Sequence, residues 1–299
     1  MAMEQPQESF ALTPAYDILL KGTQEMPIGL YHLHLATAEQ LCRLHYSMGS
    51  IKAVKAKLRQ LCDHGYVQYD AMPTKFTRSP YYYVLGRLGI RYLAEAGMDV
   101  SEAFRADKEV NKESLFVRHT LELNDIIIAA ALLKRSDPQF SLASFIHERV
   151  LKRHPYKVNW RGGSITLIPD AFLDFRVSLP GGSQRRMPVV VEHDRGTEGQ
   201  RYFQRRIRGY IMLLKTEGYK QWFQAKGITI AFTTSAGFER LKQIREWTWQ
   251  ELAATNEPQT IRGMFYFTQF VRPLDPLQLW LEPSWYTISS DQPMVLLEG

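Results

Sequence analysis

Cysteine is scarce in this sequence, which holds Cys42 and Cys62 among its 299 residues. Two thiols cannot build a disulfide framework, and both lie within apolar helical patterns, so a cysteine-based zinc site is not indicated. Apolar runs are also far shorter than the roughly 20 residues that a membrane span needs. The N-terminus lacks the basic segment and apolar segment of a secretory signal. We therefore predict a cytoplasmic protein, without a membrane partner, whose thiols are reduced.

The composition is that of a globular protein, with 45% hydrophobic and 23% charged residues. This excludes a disordered or collagen-like chain, and the length allows roughly two domains of about 150 residues. The net charge of +6 is unevenly distributed. Eight basic residues lie between Ser50 and Arg91 and eight between Arg195 and Lys226, each set against two acidic residues. Two basic segments of this kind predict a polyanionic partner such as DNA.

The first half has the pattern of a DNA-binding domain. A short helix is predicted over Leu12 to Leu20, and Thr37 with Gln40 forms a capping box that predicts the start of another. The next helix begins near Ser50, and its apolar residues at i, i+3, i+7, i+10 and i+11 leave its basic side chains outside. It ends at His64-Gly65. Those outward basic residues are Lys52, Lys55, Lys57 and Arg59.

Two β-rich runs follow this basic helix, from Tyr66 to Ala71 and from Pro80 to Leu85. Lys75 and Arg78 lie in the connection between them, and a closing helix is predicted over Leu85 to Leu93. A basic helix followed by a basic-tipped hairpin is typical of a winged helix-turn-helix that binds duplex DNA. We therefore predict a DNA-binding domain over residues 10–100, with these six basic residues as DNA contacts. The alternative is a winged helix that binds protein.

The second half predicts an α/β core over residues 108–299. A long helix from Lys112 to Lys134 precedes three strand-like runs, a helix and a buried strand, which is an αβββαβ order. The strands are predicted over 140–151, 164–179, 187–193 and 227–233, and the intervening helix over 199–216. A helix over 238–255, a strand over 264–271 and a proline-rich tail are predicted to wrap this core.

Three acids of this core are predicted to meet. Asp170 lies in the second strand, and Glu192 and Asp194 end the third. The turn signal Pro180 to Ser183 predicts an antiparallel hairpin that brings all three to one end of the sheet. Carboxylates so close repel unless a cation lies among them, and oxygen ligands suit Mg²⁺ or Mn²⁺. Such an ion supports phosphodiester hydrolysis.

The order of elements, with Pro169-Asp170 and Glu192-His193-Asp194, resembles the PD-(D/E)xK nuclease superfamily. A wider set of segments resembles the replication-relaxation family of plasmid replication and mobilisation proteins, which includes C-class conjugative relaxases. The segments that carry this second resemblance are Thr37 to Leu41, Leu58 to Leu61, Gly65, Tyr83 to Leu93, His119 to Glu122, Glu148, Ile168 to Ala171 and Val191 to Glu198.

The resemblance implies a fold and an activity. It implies a winged helix followed by a restriction-endonuclease-like core, and a relaxase-like nick in one DNA strand that uses a divalent metal. Asp170, Glu192 and Asp194 are the expected metal ligands, and Asp194 takes the place of the superfamily lysine. Arg206 or Arg195 is expected to supply the missing cation.

Further residues have two interpretations. Glu148 is a candidate catalytic residue, or else an ordinary residue of a strand. His119 and Glu122, one helical turn apart, are also candidate catalytic residues, or else a pair that packs the helix. Arg201 and Arg205 are expected to follow the phosphate backbone. Expected partners are duplex DNA, single strands near the nick, replication or conjugation proteins, and a second copy of the chain.

Three functional classes remain open. Because the lysine is lost, the chain is either a nickase or a catalytically inactive DNA-binding accessory or regulatory factor. The third class is an immunity or defence effector with unselective nuclease activity. A tyrosine relaxase using His32, His34 and Tyr81 to Tyr83 is rejected, because no strand partner is implied and adjacent tyrosines suit a β wing.

Overall fold

The computed structural model describes residues 13–14, 26–72, 80–100, 112–161 and 163–298. The helices are α1 (Met26–Leu33), α2 (Ala38–His45), α3 (Ile51–Asp63), α4 (Arg87–Glu95), α5 (Ser114–Ser136), α6 (Glu148–Leu151), α7 (Gln200–Lys215), α8 (Tyr219–Trp222), α9 (Phe238–Ala254), α10 (Gln259–Arg262) and α11 (Pro276–Trp280). The strands are β1 (Thr13–Pro14), β2 (Leu35–Thr37), β3 (Val67–Ala71), β4 (Tyr81–Leu85), β5 (Phe140–His147), β6 (Tyr156–Trp160), β7 (Gly163–Leu167), β8 (Ala171–Ser178), β9 (Gln184–Asp194), β10 (Thr229–Thr234), β11 (Phe265–Gln269) and β12 (Tyr286–Thr287).

The predicted α/β class is confirmed. The chain separates into two compact units, and the division falls inside α5, between Leu132 and Leu133. The predicted domain limits of 10–100 and 108–299 stay predictions. Within the described ranges, no helix combines the length and the apolar character that crossing a membrane requires.

The first unit is built on a three-stranded antiparallel sheet in the order β2-β4-β3. The predicted capping box is confirmed: Thr37 Oγ1 accepts from the Gln40 N–H at 3.1 Å, and Gln40 Oε1 accepts from the Thr37 N–H at 3.0 Å. Helix α3 ends at Asp63, just before Gly65 turns the chain with a φ of 74°. The predicted basic helix and the two strands after it are therefore present.

Helix α5 is attached to this unit by buried amides. Asn124 Nδ2 donates to the carbonyls of Leu33 at 3.0 Å and Leu35 at 2.7 Å. Gln40 Nε2 donates to the carbonyl of Leu121 at 2.7 Å. Apolar contact with Tyr82 of β4 adds to this attachment. Because buried carbonyls need donors, these amides fix the helix in one register.

The second unit contains a mixed sheet in the order β1-β5-β8-β9-β10-β11-β12. The pairs β5–β8 and β8–β9 are antiparallel, and β9–β10 and β10–β11 are parallel. Apolar side chains of α7 such as Phe203 and Tyr210 pack against Phe232 of β10. Because its central strands are covered, they read as continuous apolar runs, as in Val189 to Val191.

The predicted turn between β8 and β9 is present. Gly181 and Gly182 adopt φ values of 89° and 82°, which glycine reaches without steric cost. The Leu179 N–H donates to the carbonyl of Ser183 at 2.8 Å. Pairing then runs without interruption from Ser178 opposite Gln184 to Ala171 opposite Val191. The turn therefore sets the register that carries the acids.

Three expectations about the elements need correction. The strand expected over 140–151 ends at His147, and Glu148 begins α6. The strand expected over 164–179 is two strands, because Pro169 cannot donate to a ladder. Its first part, β7, pairs with the unpredicted β6 in a separate hairpin. Of the predicted helix Leu12 to Leu20, Thr13 and Pro14 form a strand, and the rest lies outside the described residues.

We predict that Asn124→Leu destabilises the protein by about 2 to 4 kcal/mol, because two buried carbonyls lose their donor. Urea unfolding followed by circular dichroism measures this change. Asn159→Leu, on an exposed position of β6, is the matched control and should change the stability by less than about 0.5 kcal/mol. Equal stability of both variants would contradict the role given to Asn124.

Candidate functional site

Strand pairing places three acids in one row across the sheet. His147, which ends β5, pairs with Ala171, and Ala171 also pairs with Val191 of β9. Glu148 follows His147, Asp170 precedes Ala171 and Glu192 follows Val191. Paired residues of adjacent strands lie roughly 5 Å apart, so these three acids are neighbours at one rim. The predicted approach of Asp170 to Glu192 agrees with this register.

The carboxylates of Glu148 and Asp170 lie close together in this row. An oxygen of one lies within 4.8 Å of an oxygen of the other. Glu148 is 9% exposed and Asp170 is 8% exposed. Lys152 Nζ lies 2.5 Å from Glu148 Oε1, and the backbone N–H of His193 donates to Asp170 Oδ2 at 2.7 Å. Among the described residues, none donates a hydrogen bond to the buried Glu148 Oε2.

This pair fits a divalent cation. Two adjacent carboxylates in a desolvated setting repel each other unless a positive charge compensates them. A buried acceptor oxygen that receives no donor from the described residues needs water or an ion as its partner. Hard oxygen donors are those that Mg²⁺ and Mn²⁺ prefer. Glu148 and Asp170 are therefore the residues that could hold the expected ion.

Glu192 is buried between two groups of α7. Its Oε1 accepts a short hydrogen bond from the Tyr210 hydroxyl, and its Oε2 lies 3.1 Å from Arg206 Nη1. Burial raises the pKa of Glu192 to about 8, and the guanidinium of Arg206 opposes this rise, while Asp170 adds to it. The negative charge of the Glu192 carboxylate is therefore stabilised by Arg206.

Arg206 connects Glu192 to Glu198. Its Nη2 donates to Glu198 Oε1, and its guanidinium lies 5.9 Å from the ring centre of Tyr202. Burial acts to lower the pKa of Arg206, but Glu192 and the other nearby carboxylates outweigh burial and raise it. Arg206 therefore carries a permanent positive charge beside the row of acids. This is the property expected of the cation that substitutes for the superfamily lysine.

Asp194 has a different environment. Arg240 clamps it from α9, with Nε to Oδ2 and Nη2 to Oδ1 both at 2.8 Å. Thr234 Oγ1 and the Gly196 N–H also donate to Oδ2. Burial acts to raise the pKa of Asp194, but the hydrogen bonds and charge of Arg240 outweigh it, and the pKa is lowered. This arrangement gives Asp194 a structural role and adds no support to its prediction as a metal ligand.

The other predicted catalytic residues lie on α5 and just after β9. His119 and Glu122 lie one turn apart on the part of α5 that belongs to the first unit. Arg195 is half-buried just after β9. Their catalytic roles stay predictions. His193 contacts Thr233 Oγ1 at 2.8 Å and the ring of Phe270.

Most predicted DNA contacts lie on exposed helix surfaces. Lys52, Lys55 and Arg59 of α3 are exposed, and Lys57 is partly buried. Lys55 Nζ pairs with Glu39 at 2.9 Å. Two of the predicted contacts, Lys75 and Arg78, lie outside the described residues. On α7, Arg201 and Arg205 are exposed, and Arg205 donates to the carbonyl of Ser164 at 3.0 Å.

Sequence reasoning missed two residues of this region. Tyr210 lies four residues after Arg206, so the shared helix face was a signal that could have found it. Arg240 lies 46 residues from Asp194 on a helix that was not assigned to the site. No local pattern connects those two residues.

Comparison with known protein families identifies a match. A family model described as replication-relaxation matches residues 29–229, which is more than half of the chain. This range includes α3, the row of acids and Arg206. No curated protein matches the chain.

We predict that Asp194→Asn lowers the stability at pH 7 by about 3 kcal/mol, because it leaves buried Arg240 without its anionic partner. The pKa of Asp194 is depressed in the folded protein, so its stabilising effect is present above the ordinary aspartate pKa of 3.8 and is lost as the pH falls through the folded value. The difference between wild type and variant should therefore shrink below about pH 4. Urea titrations over a pH series measure it. A difference independent of pH would contradict the ion pair.

Proposed function

Because the chain belongs to the replication-relaxation family, we propose that it is a DNA-processing protein of plasmids or mobile elements. It binds duplex DNA through its first unit and nicks one strand in a reaction that depends on Mg²⁺ or Mn²⁺. Replication or conjugation proteins that act on the same DNA would be its partners.

One observation carries the proposed nicking activity: the carboxylate pair of Glu148 and Asp170. Both carboxylates are nearly buried, with oxygens within 4.8 Å of each other. Lys152 compensates one oxygen of Glu148, and its own side chain is 46% exposed, so water screens part of its charge. A divalent ion would compensate both carboxylates at once. This requirement for positive charge supports the proposal.

The surrounding residues have roles that suit phosphodiester cleavage. A bound ion would polarise a phosphoryl oxygen and lower the pKa of a water molecule. Glu148 and Asp170 would hold that ion. Arg206 offers a fixed positive charge for the negative charge that develops on the phosphate. Tyr210 orients Glu192, which in turn orients Arg206.

Helix α3 and the strands after it support DNA binding. Three exposed cations lie along α3, and the helix is followed by the antiparallel pair β3–β4. A winged helix-turn-helix has this order and inserts its basic helix in the major groove. Lys52, Lys55 and Arg59 are the residues that would contact phosphates or bases there.

A second candidate function is that of a catalytically inactive DNA-binding accessory or regulatory factor. A specific observation favours it: Glu192 is already bound by Arg206 and Tyr210, and Asp194 by Arg240. Two of the three expected metal ligands are therefore compensated by the chain itself. In this case the chain binds DNA without cleaving it, and either recruits replication or mobilisation proteins or represses its own operon.

We predict that the wild type converts supercoiled plasmid carrying its own origin region to open circles in Mn²⁺ or Mg²⁺. Asp170→Asn and Glu148→Gln should each lower the nicking rate at least about a hundredfold, since each removes an anionic ligand. Gel analysis of the time course measures the rate. Glu239→Gln, at a carboxylate whose side chain is 86% exposed, is the matched control and should nick like the wild type.

The outcomes separate the two functions. DNA binding without metal-dependent nicking in the wild type contradicts the nickase and supports the accessory factor. Nicking that survives both substitutions contradicts the assignment of Glu148 and Asp170. Degradation of any DNA to small fragments would instead indicate an unselective effector nuclease.

We also predict that the double substitution Lys52→Ala with Arg59→Ala weakens DNA binding and reduces the dependence of affinity on salt. Each phosphate contact contributes about 0.9 to the slope of log affinity against log salt concentration, so the slope should fall by about 2. Fluorescence anisotropy over a salt series measures it. Lys242→Ala, an exposed lysine of α9, is the control. An unchanged slope in the double variant would exclude α3 as the DNA contact.

A further inference from the structure

Three tyrosines of the β3–β4 hairpin form an exposed aromatic cluster. Tyr69 pairs with Tyr83, and Ala71 pairs with Tyr81, so the three rings lie on one face of the hairpin. The ring centre of Tyr69 lies 5.2 Å from that of Tyr81 and 6.3 Å from that of Tyr83. We call Tyr69, Tyr81 and Tyr83 the tyrosine cluster.

The cluster is turned toward solvent. Tyr69 is 56% exposed and Tyr81 is 53% exposed. Tyr82 lies on the opposite face, is 1% exposed and donates its hydroxyl to Asp70 at 3.0 Å. One tyrosine of the run therefore serves the core, and its two neighbours do not. Large aromatic side chains exposed as a group mark a binding surface more often than isolated ones do.

The cluster lies on the hairpin that packs against α3, since α3 contacts β3. Burial raises the pKa of Tyr83, and Cys62 of α3 and Glu39 of α2 raise it further. Glu39 also pairs with Lys55. Glu39 therefore interacts electrostatically with both Tyr83 and a cation of α3.

Those cations form a stripe that leads to the cluster. Lys52, Lys55, Arg59 and Cys62 are spaced by three, four and three residues, so they follow one side of the helix. Cys62 ends the stripe in the last turn of α3, the helix that contacts β3. Lys57 lies on another side of the helix and is partly buried. A row of positive charge therefore continues into a set of exposed rings.

We propose that the tyrosine cluster stacks on unpaired bases of DNA whose backbone lies along the stripe Lys52, Lys55 and Arg59; this rests on the proposed function of the first unit in DNA binding. Positive charge followed by aromatic rings is the combination that binds single strands, because every base has a π-face. Bases inside a duplex are stacked on one another and offer no such face. The cluster therefore distinguishes DNA with unpaired bases from fully paired DNA.

The test compares three fluorescent probes of one sequence with the full chain: a single strand, a paired duplex and a duplex with an internal bubble. Affinities are measured by anisotropy for the wild type and for Tyr69→Ala, Tyr81→Ala, Tyr69→Phe and Tyr81→Phe. The alanine variants should bind the single strand and the bubble about tenfold more weakly and the paired duplex unchanged. The phenylalanine variants should bind all probes like the wild type, because they keep the ring.

Trp249→Ala is the matched control, since it removes an exposed aromatic ring from α9, and it should leave all three affinities unchanged. If the alanine variants bind every probe like the wild type, the cluster does not contact DNA, a protein partner becomes its occupant, and the inference is wrong. An equal loss on all three probes also overturns it. If the wild type binds none of the probes, the proposed DNA binding is wrong and the inference falls with it. If the wild type binds DNA and the alanine variants bind like it, the inference alone is wrong.

Discussion

Buried negative charge at one rim of the sheet is the constraint that the second unit is built around. A carboxylate removed from water costs several kcal/mol unless cations or donors replace the lost hydration. Arg206 and Tyr210 of α7 do this for Glu192, and Arg240 of α9 does it for Asp194. Both helices are therefore held against β9 by charge as well as by apolar packing. A bidentate pair between Arg208 and Glu251 connects the two helices.

The same constraint separates the acids into two kinds. Asp194 accepts hydrogen bonds from four donors of the chain, which is the character of a structural residue. Arg206 provides positive charge beside Glu192 from α7. Glu148 and Asp170 differ in that their carboxylates lie within 4.8 Å of each other and the cation paired with Glu148 is the partly exposed Lys152. We therefore propose this pair as the place for metal chemistry in the second unit.

Local signals allowed much of this fold to be predicted. The Thr37–Gln40 cap and the turn at Gly181 and Gly182 depend on residues a few positions apart, and the turn fixes the register that brings Asp170 beside Glu192. Other features depend on tertiary packing. The β6–β7 hairpin lies against α7 at Gly209, where a Cβ atom would come within 3.2 Å of Ile165. Periodicity cannot specify such packing, nor the pairing of Asp194 with Arg240 on a distant helix. Glu148, which the sequence pattern predicts on a strand, begins α6 instead.

The central proposal is that Glu148 and Asp170, which strand pairing places side by side, bind one divalent cation between them. Anomalous diffraction from crystals soaked in Mn²⁺ tests it directly. We expect a difference peak about 2 Å from the Glu148 Oε2 atom and from an Asp170 oxygen. Crystals that show both carboxylates well ordered at high Mn²⁺ concentration, with no peak between them, would contradict it.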